Sequence, residues 1–320
     1  MKLITQTLWQ GREDVTLTAY LLDNCFDMDP KRKRPAILIC PGGGYQYCSD
    51  REAEPVAMKF AGMGHHTMVL RYSVAGTVPE KSMAAYPMAL IDLAKAMSVI
   101  RQQAEEWLVD SERIAICGFS AGGHLCAELA VHWQENWLGE KLGVSKELLR
   151  PNAAILVYAL TDAVAEDQYW KDAQVSGGDE VNKTLLGHAD VSREEEIRIS
   201  PAYHVTENCP PCFLVHASDD FLVPVENALN MASALTKAGV PYAMHIYETG
   251  SHGFSVADET SSTMDFELHP DTAGWVTLAH QWLGRHMPLT VLHGEGDIPT
   301  RGHLPAEGGI PVKMDLSQFQ

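Results

Sequence analysis

A chain of 320 residues with 46% apolar and 21% charged side chains has the apolar content to bury a large core, which excludes a disordered segment or a fibrous repeat. Its 24 Lys and Arg stand against 42 Asp and Glu, a formal net charge of −18 that argues against nucleic acid and anionic membranes as partners and leaves neutral small molecules open. No apolar run reaches membrane-spanning length and residues 1–6 lack the apolar centre of a secretion signal, so the expected setting is the cytoplasm.

Residues 4–9 and 15–22 alternate apolar and polar side chains around Gly11-Arg12-Glu13-Asp14, the pattern of an antiparallel hairpin at a sheet edge. The basic run Lys31-Arg32-Lys33-Arg34 reads as a solvated loop. Pro35 then opens an uninterrupted apolar run over 36–40, as in strands buried on both faces, which ends in Pro41-Gly42-Gly43-Gly44-Tyr45. A helix is predicted over 53–63, a strand over 67–72, and a long helix from about residue 86 with an apolar stripe of Leu90, Leu93, Ala94, Met97 and Ile100. Residues 114–118 form the next strand and lead through a glycine-flanked turn into a helix reaching residue 133. Strands follow at 153–157, 213–217 and 242–247, with a helix from Pro224 to Gly239 and a last helix over 271–286. This alternation indicates one α/β domain over residues 1–288, a mostly parallel twisted sheet with helices on both faces.

Two stretches break the rhythm. Residues 162–208 are polar, with Gly177-Gly178 and the acidic run Glu194-Glu195-Glu196, and are expected to form an irregular, lid-like insertion over the strand ends. Residues 289–320 are rich in Gly and Pro and are expected to be an extension, packed on the body or a neighbouring subunit, or loose. The seven cysteines are scattered and odd in number. Cys209-Pro210-Pro211-Cys212 enters a strand and has no second pair to complete a zinc site, so reduced thiols and no metal are expected.

The chemistry concentrates where strands end. Gly118-Phe119-Ser120-Ala121-Gly122 sets a serine at a strand-to-helix turn too tight for a Cβ at either flanking position. A serine hydroxyl needs a base, and the base needs an acid to hold its tautomer. After Ser120, the strand at 213–217 leads to Asp219-Asp220, and the strand at 242–247 leads to Gly250-Ser251-His252-Gly253-Phe254. The carboxylate loop, His252 and Ser120 thus all fall at C-terminal strand ends, where α/β sheets place their crevice. The bare amides of Gly43 or Gly44, together with that of Ala121 at a helix start, suit an oxyanion.

Taken in order, Pro41-Gly42-Gly43-Gly44-Tyr45, Gly118 to His124, Leu185-Leu186-Gly187, Ser200-Pro201, Asp219 to Pro224 and His252-Gly253-Phe254 resemble the lipase/esterase-like α/β hydrolases, in particular the acetyl esterase and acetyl-xylan-esterase-like branch. The resemblance runs from about residue 35 to 286. It implies an α/β-hydrolase fold and a serine carboxylesterase acting on short-acyl esters, acetylated sugars or xylo-oligosaccharides among them, without a cofactor. It also implies Ser120, His252 and Asp220 as the triad, Asp219 being the alternative acid because the loop register is open. Pro41 replaces the His that lipases of this type carry, which fits the esterase branch. Amide hydrolysis, as in formamidases or small peptidases, shares this scaffold; a non-catalytic binding protein would be expected to lack a triad member, and none is missing.

Tyr45 and Arg51 are candidate pocket residues, although Arg51 can also pair with Glu52 or Glu54. His124 has a packing role in the family. His65 and His66 read as core or surface residues, His216 as a satisfied core histidine, and Tyr169 and Trp170 as candidate lid aromatics. The expected partner is a small-molecule ester, and a second copy of the chain is open.

Overall fold

The computed structural model describes residues 1–25, 29–78, 80–174 and 180–288. Its strands are β1 (Lys2–Trp9), β2 (Arg12–Leu21), β3 (Arg34–Cys40), β4 (His66–Arg71), β5 (Val109–Phe119), β6 (Ala153–Val157), β7 (Cys212–Ala217) and β8 (Tyr242–Tyr247). Among the described residues they form one sheet in the order β1-β2-β4-β3-β5-β6-β7-β8. β1 pairs antiparallel with β2 and β2 with β4, and every later pairing is parallel. The alternating hairpin therefore lies on the edge, while the continuously apolar strands β3, β6 and β7 are buried along their whole length.

The helices are α1 (Glu54–Gly62), α2 (Met88–Gln102), α3 (Ala104–Trp107), α4 (Ala121–His132), α5 (Asn136–Leu142), α6 (Ala163–Asp172), α7 (Glu180–Leu186), α8 (Arg193–Arg198), α9 (Glu226–Ala238), α10 (Pro270–Ala273) and α11 (Trp275–His286). Two apolar clusters cover the two faces of the sheet. One joins α2 and α4 to the strands through Leu93, Met97, Leu125 and Leu129; the other joins α1 and α11 through Phe60, Trp275 and Trp282. α4 is buried along its entire length, as a helix in the middle of such a layer must be.

Several boundaries differ from expectation. β5 starts at Val109, pairing through Arg34, so the polar Asp110-Ser111-Glu112 belongs to a strand that the apolar pattern alone does not reveal. Pro224 precedes α9 rather than starting it, and the last helical stretch divides at Gly274 into α10 and α11. The connection from β6 to β7 is not irregular where it is described, holding α6, α7 and α8, and two of these carry their own side-chain caps. The Asp162 carboxylate accepts from the Ala165 amide at 3.0 Å to start α6, and Ser192 and Glu195 form a reciprocal capping box at α8. Gly177 and Gly178, and the tail from residue 289, lie outside the described residues. All seven cysteines are free. Among the described residues no helix is long and apolar enough to cross a membrane.

Candidate active site

Ser120 occupies the residue between β5 and α4 with φ 51° and ψ −120°, a conformation that a non-glycine residue adopts only when its surroundings force it. Those surroundings are backbone. A Cβ on Gly118 would lie 2.1 Å from the Gly122 carbonyl oxygen, and one on Gly122 would lie 2.1 Å from that of Cys40. The chain can therefore turn this sharply only with glycine two places either side of the serine.

His252 follows β8 on a loop that brings its ring to Ser120. Its Nε2 lies 2.9 Å from Ser120 Oγ and its Nδ1 lies 2.8 Å from Asp220 Oδ2. An ionised Asp220 only accepts, so Nδ1 carries the ring proton and Nε2 is left to accept the serine proton. Asp220 is held in turn by its own loop, Oδ1 accepting the amides of Leu222 at 3.0 Å and Val223 at 2.9 Å. Burial pushes this carboxyl up, but hydrogen bonds from His216 and His252 outweigh it and hold Asp220 well below the usual carboxylate range.

Of the two acids left open by the sequence, Asp220 is the one in contact with His252. Asp219 is exposed and accepts the Ser251 amide at 2.9 Å, so it braces the histidine loop from outside. His216 is buried, as a core histidine would be, and has a second partner that its position in β7 does not reveal. Its Nε2 lies 2.9 Å from the Val223 carbonyl and 3.3 Å from Asp220 Oδ2, donating towards both.

The glycine loop runs beside the serine: a Cβ on Gly42 would meet Ser120 Cβ at 2.9 Å. The Gly42 amide is engaged by Glu52 at 2.7 Å, whereas the amides of Gly43, Gly44 and Ala121 donate to no protein acceptor among the described residues. Gly43 has φ +125°, and a Cβ there would lie 2.2 Å from the Tyr47 carbonyl oxygen, so only glycine serves.

The two candidate pocket residues are otherwise occupied. Tyr45 is 1% exposed and its hydroxyl meets His124 Nδ1 at 2.6 Å, so it supports the glycine loop from beneath instead of presenting a polar group to solvent. Arg51 pairs with neither Glu52 nor Glu54: its Nε donates to the Ser261 carbonyl at 2.7 Å and its Nη1 meets Glu267 at 2.7 Å. His124 packs as the resemblance implies, its Nε2 donating to the Ile199 carbonyl at 2.7 Å and so tying α4 to the β6–β7 connection. That connection also reaches the glycine loop, where Gln46 Nε2 donates to Thr184 Oγ1 at 2.7 Å. Tyr169 and Trp170 are half-buried on α6, their rings 5.1 Å apart. His65 and His66 are buried away from any metal-binding arrangement, and among the described residues no cluster of three or more His, Cys, Asp or Glu could hold a metal ion.

Glu52 and Tyr158 were not singled out in the sequence. Glu52, which the sequence offers only as an alternative partner of Arg51, is buried and accepts the Tyr158 hydroxyl at 2.6 Å. The Tyr158 ring stacks edge-on to His252, centroids 5.1 Å apart.

Residues 22–235 match the family described as BD-FAE. The chain belongs to the BD-FAE family. Among curated relatives of this BD-FAE chain, endo-1,4-β-xylanase B of Butyrivibrio fibrisolvens is 33% identical over 264 residues, covering 81% of the chain and 39% of the relative. The acetylxylan esterase of Xylanibacter ruminicola is 27% identical over 226 residues, covering 68% and 41%. The chain thus spans well under half the length of either. Among solved structures, the acetyl ester-xyloside bifunctional hydrolase of Caldicellulosiruptor lactoaceticus is 28% identical with a TM-score of 0.71, covering 90% of this chain and 97% of that one. The fold of this BD-FAE chain is that of the α/β hydrolases.

Proposed function

We propose that this chain is a serine carboxylesterase that removes short acyl groups, acetyl foremost, from sugar esters such as acetylated xylo-oligosaccharides. The observation that carries the reading is the continuous hydrogen-bonded line Ser120 Oγ–His252–Asp220, with steps of 2.9 and 2.8 Å. Ser120 Oγ attacks the ester carbonyl carbon as His252 Nε2 takes its proton, and Asp220 stabilises the imidazolium that results. The oxyanion accepts from the amides of Ala121 and of Gly43 or Gly44, groups without a protein acceptor among the described residues, each such donor contributing about 3–4 kcal/mol in comparable sites. Collapse breaks the bond to the alcohol oxygen, which leaves with the proton from His252 and leaves an acyl group on Ser120. Water then attacks the acyl carbon, giving a proton to His252, and the second collapse releases the acid and returns that proton to Ser120.

The acetyl-sugar assignment rests on the names of the relatives. The seven free thiols fit a reducing, cytoplasmic setting. Hydrolysis of p-nitrophenyl acetate by the wild type and by Ser120→Ala tests the triad: a loss of about 10,000-fold or more in kcat is expected, and an unchanged rate would refute it. A panel of acetylated xylo-oligosaccharides, N-formyl aromatic amides and acyl esters from acetyl to octanoyl tests the substrate, with the acetylated sugar expected to give the highest kcat/KM.

A further inference from the structure

We propose that Glu52 is a positioning residue which, through Tyr158, holds the glycine loop and the histidine loop in one arrangement around Ser120. The inference rests on the triad reading and adds to it a group that does not touch the reacting atoms.

The geometry forms a chain across three segments. Glu52 Oε2 accepts the Gly42 amide at 2.7 Å, and Glu52 Oε1 accepts the Tyr158 hydroxyl at 2.6 Å. The Tyr158 oxygen accepts the Ser255 amide at 2.9 Å, three residues beyond His252. Ser255 is fixed twice more, its Oγ donating to the Arg51 carbonyl at 2.7 Å and its carbonyl accepting from Trp275 Nε1 at 2.9 Å. The loop after β3, the end of β6 and the loop after β8 are therefore joined through one carboxyl and one phenol.

Donor counting sets the state of the carboxyl. The Gly42 amide can only donate, and the Tyr158 oxygen already accepts from Ser255, so its own proton must go to Glu52. Two donors facing two oxygens suit a carboxylate, and an amide in that place would set an N–H against one of those donors. Burial pushes the Glu52 carboxyl up, and the Tyr158 and Gly42 hydrogen bonds offset only part of that shift. No cation pairs with Glu52 among the described residues, since Arg51 is taken by Ser261 and Glu267. A buried, unpaired carboxylate is costly for a fold that an apolar residue could serve, which points to a use elsewhere. Its surroundings name that use. Gly42 separates it from Ser120, and the Tyr158 ring separates it from His252. A displacement of either loop by an ångström is the scale of error that lowers turnover about a hundredfold.

Steady-state hydrolysis of p-nitrophenyl acetate and thermal melting, on Glu52→Gln, Tyr158→Phe, the double variant and Ser120→Ala, test this. Each single variant is expected to lower kcat about 10- to 100-fold with KM changed less than about threefold, and the double variant to be no slower than about the slower single. Tyr158→Phe keeps the ring in the core and carries the test alone if Glu52→Gln does not fold. Wild-type kcat with a lowered melting temperature, or losses that multiply in the double variant, would overturn the proposal. Activity surviving in Ser120→Ala would instead overturn the triad reading.

Discussion

Asp219 and Asp220 are adjacent and chemically identical, yet one is exposed on a loop and the other buried against His252. Their substitution should separate them sharply. Asp220→Asn keeps the shape but offers His252 the wrong tautomer partner, and kcat is expected to fall about 10,000-fold with the melting temperature little changed. Asp219→Ala removes only the brace on the Ser251 amide, and a loss of less than about tenfold is expected from the same kinetics. His216 belongs to this arrangement too, because its Nε2–H reaches Asp220 Oδ2, the oxygen that also meets His252, and helps keep the carboxyl ionised.

Among the elements, the β5–α4 turn is the least tolerant. Gly118→Ala or Gly122→Ala drives a Cβ to 2.1 Å from a carbonyl oxygen of the backbone, which no rotamer change relieves. A loss of about 3 kcal/mol or more in urea unfolding, or failure to accumulate folded protein, is expected for either. The β6–β7 connection is anchored to the body by Ala163, Leu185 and Ile199 in the core and by the Tyr86 amide donating to the Leu185 carbonyl at 2.7 Å, and its helix ends are capped locally. Ser192→Ala removes one half of the α8 capping box and should cost about 1 kcal/mol locally. Amide hydrogen exchange over 193–198 is expected to speed up before any change in the sheet, and equal protection there would contradict the capping role.

At the scale of the whole molecule, burial sets the response to pH. His65, His66 and His124 are each depressed to about 4, chiefly by desolvation. The unfolded chain binds these protons near pH 6.5 and the native state refuses them until about 4, so this part of the stability is complete above 6.5 and is lost as pH falls between those values. The melting temperature is expected to drop steeply across that window. Glu128, fully buried on α4, behaves in the opposite way. Desolvation raises its carboxyl to about 8, so the native state keeps a proton that the unfolded chain gives up from about 4.5, and stability is lost as pH rises through that range. Glu128→Gln is expected to melt above the wild type at pH 8 and not at pH 4, and a higher melting temperature at both would assign the gain to packing rather than ionisation.

Much of this organisation is determined by the sequence alone, because it is written in local patterns. Alternating residues make an edge hairpin, unbroken apolar runs make central strands, and glycine on both sides of Ser120 is legible because only that residue tolerates the turn. The order of Ser120, the Asp219-Asp220 loop and His252, each at a strand end, is local information as well. What the tertiary structure alone decided concerns groups whose meaning depends on a distant neighbour. The register of one loop brings Asp220 and not Asp219 against His252, and Arg51 finds Glu267 more than two hundred residues away. Tyr45 turns inward to His124, and Glu52 leaves the solvent to meet Tyr158 across the sheet end. In Asp50-Arg51-Glu52 nothing marks the third residue as buried, because desolvation and hydrogen-bond pairing belong to the assembled interior and not to the chain that enters it.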